Sequence, residues 1–380
     1  MRVALVIFRA EVSRGGAERY TADLAAALVA RGHEPTVVTS FPDDAMDGVR
    51  QVCIHRRAIT KYGQYEEFLR GVESLCQRER YDVVHAMLPV TRCDIYHPHA
   101  GLAAEAMAGG SALQRLFNLL NLRRRRYASV ERDLLTGGDP PVMLCLSDYV
   151  KRAALRHYAI DQRRLATLHN GVDIGRFDPA LRLEARQEVR QRLGIAHDAV
   201  VALTIAQDFA RKGLRQAIQA TARLDAPLVL LVVGKPEARA YRRLARRLGA
   251  AGRVIFAGGT SDPHAFYQAA DFFVLPTRHD PCALVTLESL SMGVPVVTTA
   301  QNGAGEVITQ GREGFVLADP YDVAGLAAAM GRLLDPELRG AMRRACLDLR
   351  PRLSQDHHVQ RLLELYEQVS RAKAARAAST

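Results

Sequence analysis

Two carboxylates, Asp280 and Glu288, stand eight positions apart in the segment Arg278-His279-Asp280-Pro281-Cys282-Ala283-Leu284-Val285-Thr286-Leu287-Glu288. An apolar run ending at Leu275 precedes them and reads as a strand, and a helix is predicted from near Ala283 or Leu284. The first N–H groups of a helix have no intrahelical acceptor and sit at its positive end. The amides near Ala283, Leu284 and Val285 are therefore a ready seat for a diphosphate. Glu288, one turn inside, can accept hydrogen bonds from ribose hydroxyls, and Asp280 on the loop can reach the hydroxyls of a sugar beyond the phosphates. The same spacing also suits Asp280 as a helix cap and Glu288 on a solvated face, and spacing alone leaves both open.

Three other stretches carry groups able to do chemistry. Gln207-Asp208-Phe209-Ala210-Arg211-Lys212-Gly213-Leu214 lies between a predicted strand and a predicted helix, so Arg211 and Lys212 could neutralise a leaving diphosphate. An exposed basic pair is the commoner reason for Arg next to Lys. Asp94-Ile95-Tyr96-His97-Pro98-His99-Ala100-Gly101 reads as a loop whose imidazoles suit hydrogen bonding to a sugar or an acceptor. With no third ligand nearby in sequence it is a poor metal site, and an uncommitted surface loop is the alternative. Leu113, Leu116, Phe117 and Leu120 form an apolar stripe beside Arg115 and the run Arg123, Arg124, Arg125, Arg126. Such a helix can lie on anionic lipid, each arginine near the surface adding roughly 1 kcal/mol, or it can pack on a core with its basic end in water. No aromatic residues interleave those arginines as stacking platforms, which argues against nucleic acid as a partner.

Elements able to position these groups occur in two sets. Residues 3–8 form an unalternating apolar run, followed by Gly15-Gly16 and an apolar face at Ala17, Tyr20, Leu24, Ala27 and Leu28 that stops at Gly32. Further strands are predicted at 36–39, 83–87, 142–146 and 165–168. The same grammar restarts near Ala199, with strands at 200–205, 228–233, 254–256, 272–275 and 294–298 and helices between them. The fold class is α/β, with two Rossmann-like, doubly wound domains facing a central cleft, where the carboxyl ends of such sheets bind ligands. The expected boundaries are 1–170 for an N-terminal acceptor-binding domain, 171–197 for a polar linker and 198–353 for a nucleotide-sugar-binding domain. A C-terminal helix over 354–380 is expected to pack back toward the first domain.

Bulk properties narrow the classes. A chain of 380 residues has room for two cores, and 52 Lys+Arg against 41 Asp+Glu, 52 − 41 = +11, favours polyanionic partners such as phosphorylated glycan or anionic lipid. The six cysteines are scattered without a Cys-x-x-Cys pair, and the opening apolar run is broken by Arg9 and Glu11, so a reducing, cytoplasmic setting is expected. No Gly-x-Ser-x-Gly elbow, P-loop or dinucleotide fingerprint is present, which disfavours serine hydrolase, P-loop and nicotinamide chemistry.

Taken in order, these pieces resemble the GT-B glycosyltransferases of family 4 over nearly the whole chain. The matching elements are Gly15-Gly16-Ala17-Glu18, His169-Asn170-Gly171-Val172-Asp173 with Arg176-Phe177, Arg211-Lys212-Gly213, Val254-Ile255-Phe256-Ala257-Gly258, Ala270-Asp271-Phe272-Phe273-Val274-Leu275-Pro276-Thr277, and the carboxylate segment through Gly293-Val294-Pro295-Val296-Val297. With Asp208-Phe209 and Asn302-Gly303-Ala304, the chain looks most like the lipopolysaccharide core glucosyltransferases that act on heptose. The resemblance implies a retaining transfer of a hexose, glucose from UDP-glucose, to a lipopolysaccharide-core or other lipid-linked glycan, with no catalytic metal and no cofactor beyond the donor. It implies Glu288 on the ribose, Asp280 on the donor sugar, the amides of Ala283, Leu284 and Val285 on the diphosphate, and Arg211 and Lys212 on the β-phosphate. Gly15 and Gly16 would admit the donor closely, and His99 would stand near the reacting carbon. Two departures are visible: Asp280 stands where Glu is usual, one methylene shorter, and Gln207 where many members carry Arg. A non-hydrolysing nucleotide-sugar epimerase on the same scaffold, or a basic membrane- or nucleic-acid-binding protein without catalysis, are the competing classes.

Overall fold

Aliphatic runs without polar alternation, buried on both faces, are what parallel sheets require, and they form two such sheets here. The computed structural model describes residues 1–12, 15–43, 46, 48–99, 101–108, 117–118 and 120–378, and its contacts divide the chain into two units, Met1–Leu168 with Val359–Thr380, and His169–His358.

In the first unit, β1 (Arg2–Val6), β2 (Glu34–Thr39), β3 (Arg50–Cys53), β4 (Val83–Ala86), β5 (Ile95–Tyr96), β6 (Val142–Cys145) and β7 (Leu165–Thr167) pair in the order β3-β2-β1-β4-β5-β6-β7. All these pairings are parallel. Helix Gly16–Ala30 buries Leu24, Ala25 and Leu28 and is followed by Gly32 at φ 75°, the stop read from sequence. Helix Gln355–Ala378 delivers Val359, Leu362, Tyr366 and Val369 into the same core. Two strands escape the sequence reading. β3 is half-buried and carries Arg50 and Gln51, and β5, inside the expected His loop, is two residues long, too short for any period to register.

In the second unit, β8 (Val200–Ile205), β9 (Leu228–Val233), β10 (Val254–Gly258), β11 (Phe272–Leu275), β12 (Val296–Thr299) and β13 (Gly314–Leu317) pair in the order β10-β9-β8-β11-β12-β13, again parallel throughout. β13 was not anticipated from the sequence; its first residue must be glycine, because a Cβ on Gly314 would sit 1.9 Å from the Val296 carbonyl oxygen.

Residues 171–197, expected as a polar linker, instead belong to the second unit. Within them, helix Ala185–Arg192 buries Val189 and Arg190. Arg190 and Arg186 grip the two oxygens of Asp271 at 2.7 Å each, and Arg190 also donates to the carbonyls of Ala269 and Ala199. The charges that suggested a solvated hinge are paired across the unit. Among the described residues no helix is long and apolar enough to cross a membrane.

At the end of this unit His358 is buried, with Nδ1 2.7 Å from the His169 carbonyl oxygen, and burial lowers its pKa from 6.5 to about 4. The unfolded chain therefore takes up this proton first, so the stability held by neutral His358 is complete above pH 6.5 and is lost as the pH falls toward 4. The loss amounts to roughly 3 kcal/mol. Melting temperatures measured from pH 7.5 to 4 should fall less steeply for His358→Gln, which keeps a donor to the His169 carbonyl; parallel curves would remove this group from the account.

Candidate functional site

The cation-bearing segment is placed by a glycine. Helix Leu214–Arg223 starts at Gly213, which has φ 76°, and a Cβ there would lie 2.0 Å from the carbonyl oxygen of Pro276. Only glycine lets this loop lie against the exit of β11. The Arg211 carbonyl then accepts from Thr277 Oγ1 at 3.1 Å and from the Arg278 N–H at 2.9 Å, joining the two loops. Lys212 becomes 7 % exposed, its ammonium paired with Asp280 Oδ2, and Arg211 Nη1 reaches the same oxygen at 3.2 Å and the His279 carbonyl at 2.9 Å. An exposed basic pair is thus the wrong description of Lys212. Burial lowers its pKa, and the Asp280 charge opposes that shift.

Asp280 is fixed from both sides. Its N–H donates to Gln301 O at 2.8 Å, its carbonyl accepts from the Gly303 N–H at 2.9 Å, and Oδ1 accepts from the Cys282 N–H at 3.1 Å. It does not cap the following helix. Helix Leu284–Ser291 begins after Ala283, as read from sequence, and the Ala283 N–H donates to Asn302 Oδ1 at 3.2 Å. Asn302 is 1 % exposed; Oδ1 also accepts from Ala304 N–H, and Nδ2 donates to Thr286 Oγ1 and Thr298 Oγ1 at 3.0 Å each. Asn302 is thus the clamp on the helix start, a role that a lone Asn-Gly pair does not announce in a sequence. The amides of Leu284 and Val285 fall in the first turn, where N–H groups lack intrahelical acceptors.

Glu288 does not stand on a solvated face. It is half-buried, and the Tyr267 hydroxyl donates to its Oε2 at 2.8 Å and to the Val285 carbonyl at 3.0 Å. Burial raises its pKa, while the Tyr267 bond and the charge of Arg176 work against that rise. Cys282, between the carboxylates, has its thiol pushed up to about 12 by burial and is chemically inert. The second unit therefore gathers Arg211, Lys212 and Asp280 into one cluster, with Ala283, Leu284, Val285 and Glu288 on the helix that follows.

Residues 185–346 match the family model described as glycosyl transferases group 1, and residues 14–176 match that of glycosyltransferase family 4. The chain is a family 4 glycosyltransferase. It is 28% identical over 325 residues to the lipopolysaccharide glucosyltransferase WaaG of Escherichia coli, covering 84% of this chain and 86% of WaaG. It is 27% identical over 401 residues to a D-inositol 3-phosphate glycosyltransferase of Thermomonospora curvata, covering 93% of this chain and 90% of the relative. The crystal structure of WaaG, 25% identical, superposes with a TM-score of 0.79 over 96% of this chain and 99% of WaaG, so the two parallel-sheet units have the GT-B fold. Neither the epimerase nor the non-catalytic class finds support in these matches.

The glycosyltransferase's other candidate residues lie in its first unit. His99 is half-buried, its ring against Tyr20 (centroids 4.2 Å apart) and His97 (4.0 Å). His97 is fully buried; its Nδ1 meets His85 Nε2 at 3.2 Å, and His85 Nδ1 meets the Tyr366 hydroxyl at 2.6 Å. This loop is anchored through the strand to the C-terminal helix, so it is not an uncommitted surface loop. Gly15 is extended at φ −175°, and a Cβ there would meet only the mobile end of Glu18, 2.9 Å away; Gly16 opens its helix. Among the described residues of the first unit nothing obliges position 15 to be glycine. Of the arginine run in helix Leu122–Thr136, Arg126 pairs with Glu66 and Arg123 stacks 5.2 Å from the Tyr127 ring centre. Phe117 and Leu120 are exposed, and Leu113, Arg115 and Leu116 lie outside the described residues.

Proposed function

We propose that this glycosyltransferase moves glucose from UDP-glucose to a lipopolysaccharide-core or other lipid-linked glycan at the cytoplasmic face of a membrane, with retention and without a catalytic metal. The observation that carries the proposal is the pairing of a buried Lys212 and Arg211 with Asp280 just before a helix whose second turn holds the half-buried Glu288. Similarity to WaaG, a lipopolysaccharide glucosyltransferase, supports both glucose and the lipopolysaccharide core.

In this reading Glu288 accepts hydrogen bonds from the ribose hydroxyls, and the first-turn amides of Leu284 and Val285 hold the diphosphate. Arg211 and Lys212 face the β-phosphate, where negative charge grows as the glycosidic bond breaks; cations already fixed in place stabilise that charge without reorganising. Asp280 keeps both cations positioned before the donor arrives and has lone pairs left for a sugar hydroxyl. A leaving phosphate oxygen takes the acceptor proton, so no separate strong base is needed. Within the first unit, His99 is the candidate for hydrogen bonding to a sugar hydroxyl, and Gly15 and Gly16 are the candidates for close backbone approach to a phosphate.

Thermal shift and product release test this together. UDP-glucose at about 100 times its Kd should stabilise the protein by roughly 2.7 kcal/mol, more than ADP-glucose or GDP-mannose at equal concentration, and UDP release should depend on added acceptor. Donor consumed at the same rate without acceptor, or no nucleotide sugar raising the melting temperature, would overturn the proposal.

A further inference from the structure

His85 is a polar residue in an apolar strand. On β4 it pairs with Leu5 of β1 and Ile95 of β5, so its ring lies in a row of aliphatic side chains, and it is 0% exposed. The C-terminal helix meets the same core with Val359, Leu362, Tyr366 and Val369, and Tyr366 brings the one hydroxyl among these four. Apolar residues would fill this space without burying polar atoms, which cost free energy unless they are bonded.

The polar atoms form a directed chain. Among the described residues the buried Tyr366 hydroxyl has one hydrogen-bond partner, His85 Nδ1 at 2.6 Å. Its single hydrogen therefore goes to Nδ1, because a buried O–H with no acceptor carries the full cost of its lost hydration. A ring nitrogen that accepts holds no hydrogen, so the hydrogen of His85 is on Nε2, which faces His97 Nδ1 at 3.2 Å. The same reasoning puts the hydrogen of His97 on Nε2. Tyr366 and His85, from the C-terminal helix and β4, thus fix which tautomer His97 holds just after β5.

That tautomer bears on the next histidine outward. The rings of His97 and Tyr20 pack on half-buried His99 with centres 4.0 and 4.2 Å away, and Tyr20 meets His97 edge-on at 5.4 Å. Those two rings set the plane of His99. With the other tautomer His97 loses the bond to His85, and with it the orientation of the ring against which His99 rests.

We propose that Tyr366, His85 and His97 are positioning residues for His99: the Tyr366 hydroxyl holds the imidazole chain in one tautomer, and the chain fixes the His99 ring for a sugar hydroxyl. The inference deepens the reading above and rests on His99 serving the sugar. It gives the C-terminal helix a part in turnover although its tyrosine is fully buried.

The test uses the full chain. Turnover is followed as UDP release from UDP-glucose with a heptose-terminated lipopolysaccharide core oligosaccharide as acceptor, and isotope-labelled histidines are read in proton–nitrogen correlation spectra without substrate. The parent should show His97 with its hydrogen on Nε2. Tyr366→Phe should abolish that single tautomer and lower kcat roughly three- to tenfold at unchanged donor KM, the rate equivalent of one net hydrogen bond. His85→Gln, whose amide can accept from Tyr366 and donate to His97, should keep the tautomer and most of kcat, whereas His85→Leu should lose both. A purely structural role would lower the melting temperature and leave kcat and the tautomer alone. Parental kcat in Tyr366→Phe, a parent His97 with its hydrogen on Nδ1, or a His85→Gln that keeps the tautomer but loses kcat would overturn the inference. His99→Ala separates it from the reading beneath: a fall in kcat there beside a parental Tyr366→Phe strikes the relay alone, and parental rates in both strike His99 as well. If the parent releases no UDP, the donor reading fails and the spectra still decide the relay.

Discussion

Glu288→Gln is expected to lower kcat/KM for the nucleotide sugar roughly 30- to 100-fold, mostly through a higher donor KM, because hydrogen bonds to an ionised acceptor contribute about 1.5–3 kcal/mol. The same substitution should leave the melting temperature unchanged or raise it. Glu288 is half-buried, and desolvation raises the pKa of its carboxyl, so its charged form is disfavoured in the folded protein, and a neutral amide of the same shape avoids that cost. A carboxyl with a raised pKa takes its proton at higher pH than an ordinary glutamate. Ribose binding to the parent enzyme should therefore weaken on acidification before the usual carboxylate range is reached, whereas the donor KM of the glutamine variant should be flat over the same interval. Steady-state kinetics from pH 8 to 5, with melting curves beside them, contain the whole prediction. A variant with parental donor KM would show that Glu288 is no ribose ligand.

Lys212→Met should have the largest effect on turnover, a fall in kcat of roughly 10²–10³, the range for removing one preorganised group that stabilises developing charge. It should also destabilise the second unit. The Lys212–Asp280 pair is buried, and taking away one partner leaves a carboxylate with only the half-exposed Arg211 to answer it, a loss of up to about 3–5 kcal/mol. Adding Asp280→Asn removes the orphaned charge, so the double variant should recover melting temperature without recovering kcat. Because Asp280 is itself a candidate donor-sugar ligand, kcat of the double variant is compared with that of Asp280→Asn alone: a further fall marks a cation working on the diphosphate, and equal values mark one that merely neutralises Asp280. Should Lys212→Met retain parental kcat with the predicted loss of stability, the lysine would be structural and the phosphate role would pass to Arg211 alone.

The legibility of this chain followed the range of the forces involved. β8, β9 and β11 were readable because a buried parallel strand needs four to six consecutive apolar residues, a purely local demand. β5 was not, since two residues carry no period, and residues 171–197 were misread because Arg186 and Arg190 look solvated until Asp271, more than 80 positions away, is seen to hold them. At the site, the helix start after Ala283 was legible from the loop-to-helix change, but its clamp Asn302 was not, because it acts through four partners drawn from three separate segments.

Sequence by itself determined the residue types, their order and their placement at strand exits and helix starts: Asp280 before a helix, Glu288 within it, Arg211 and Lys212 ahead of a glycine, and with these the family. Tertiary structure decided what each group faces. It turned an even choice between capping residue and ligand into a buried Lys212–Asp280 pair, set the half-buried Glu288 against the Tyr267 hydroxyl, and closed Glu131 with four hydrogen bonds. Helix and strand formation depend on neighbours within a few positions, whereas burial and charge pairing depend on groups that only folding brings into contact, and the pKa and reach of a side chain follow from the latter.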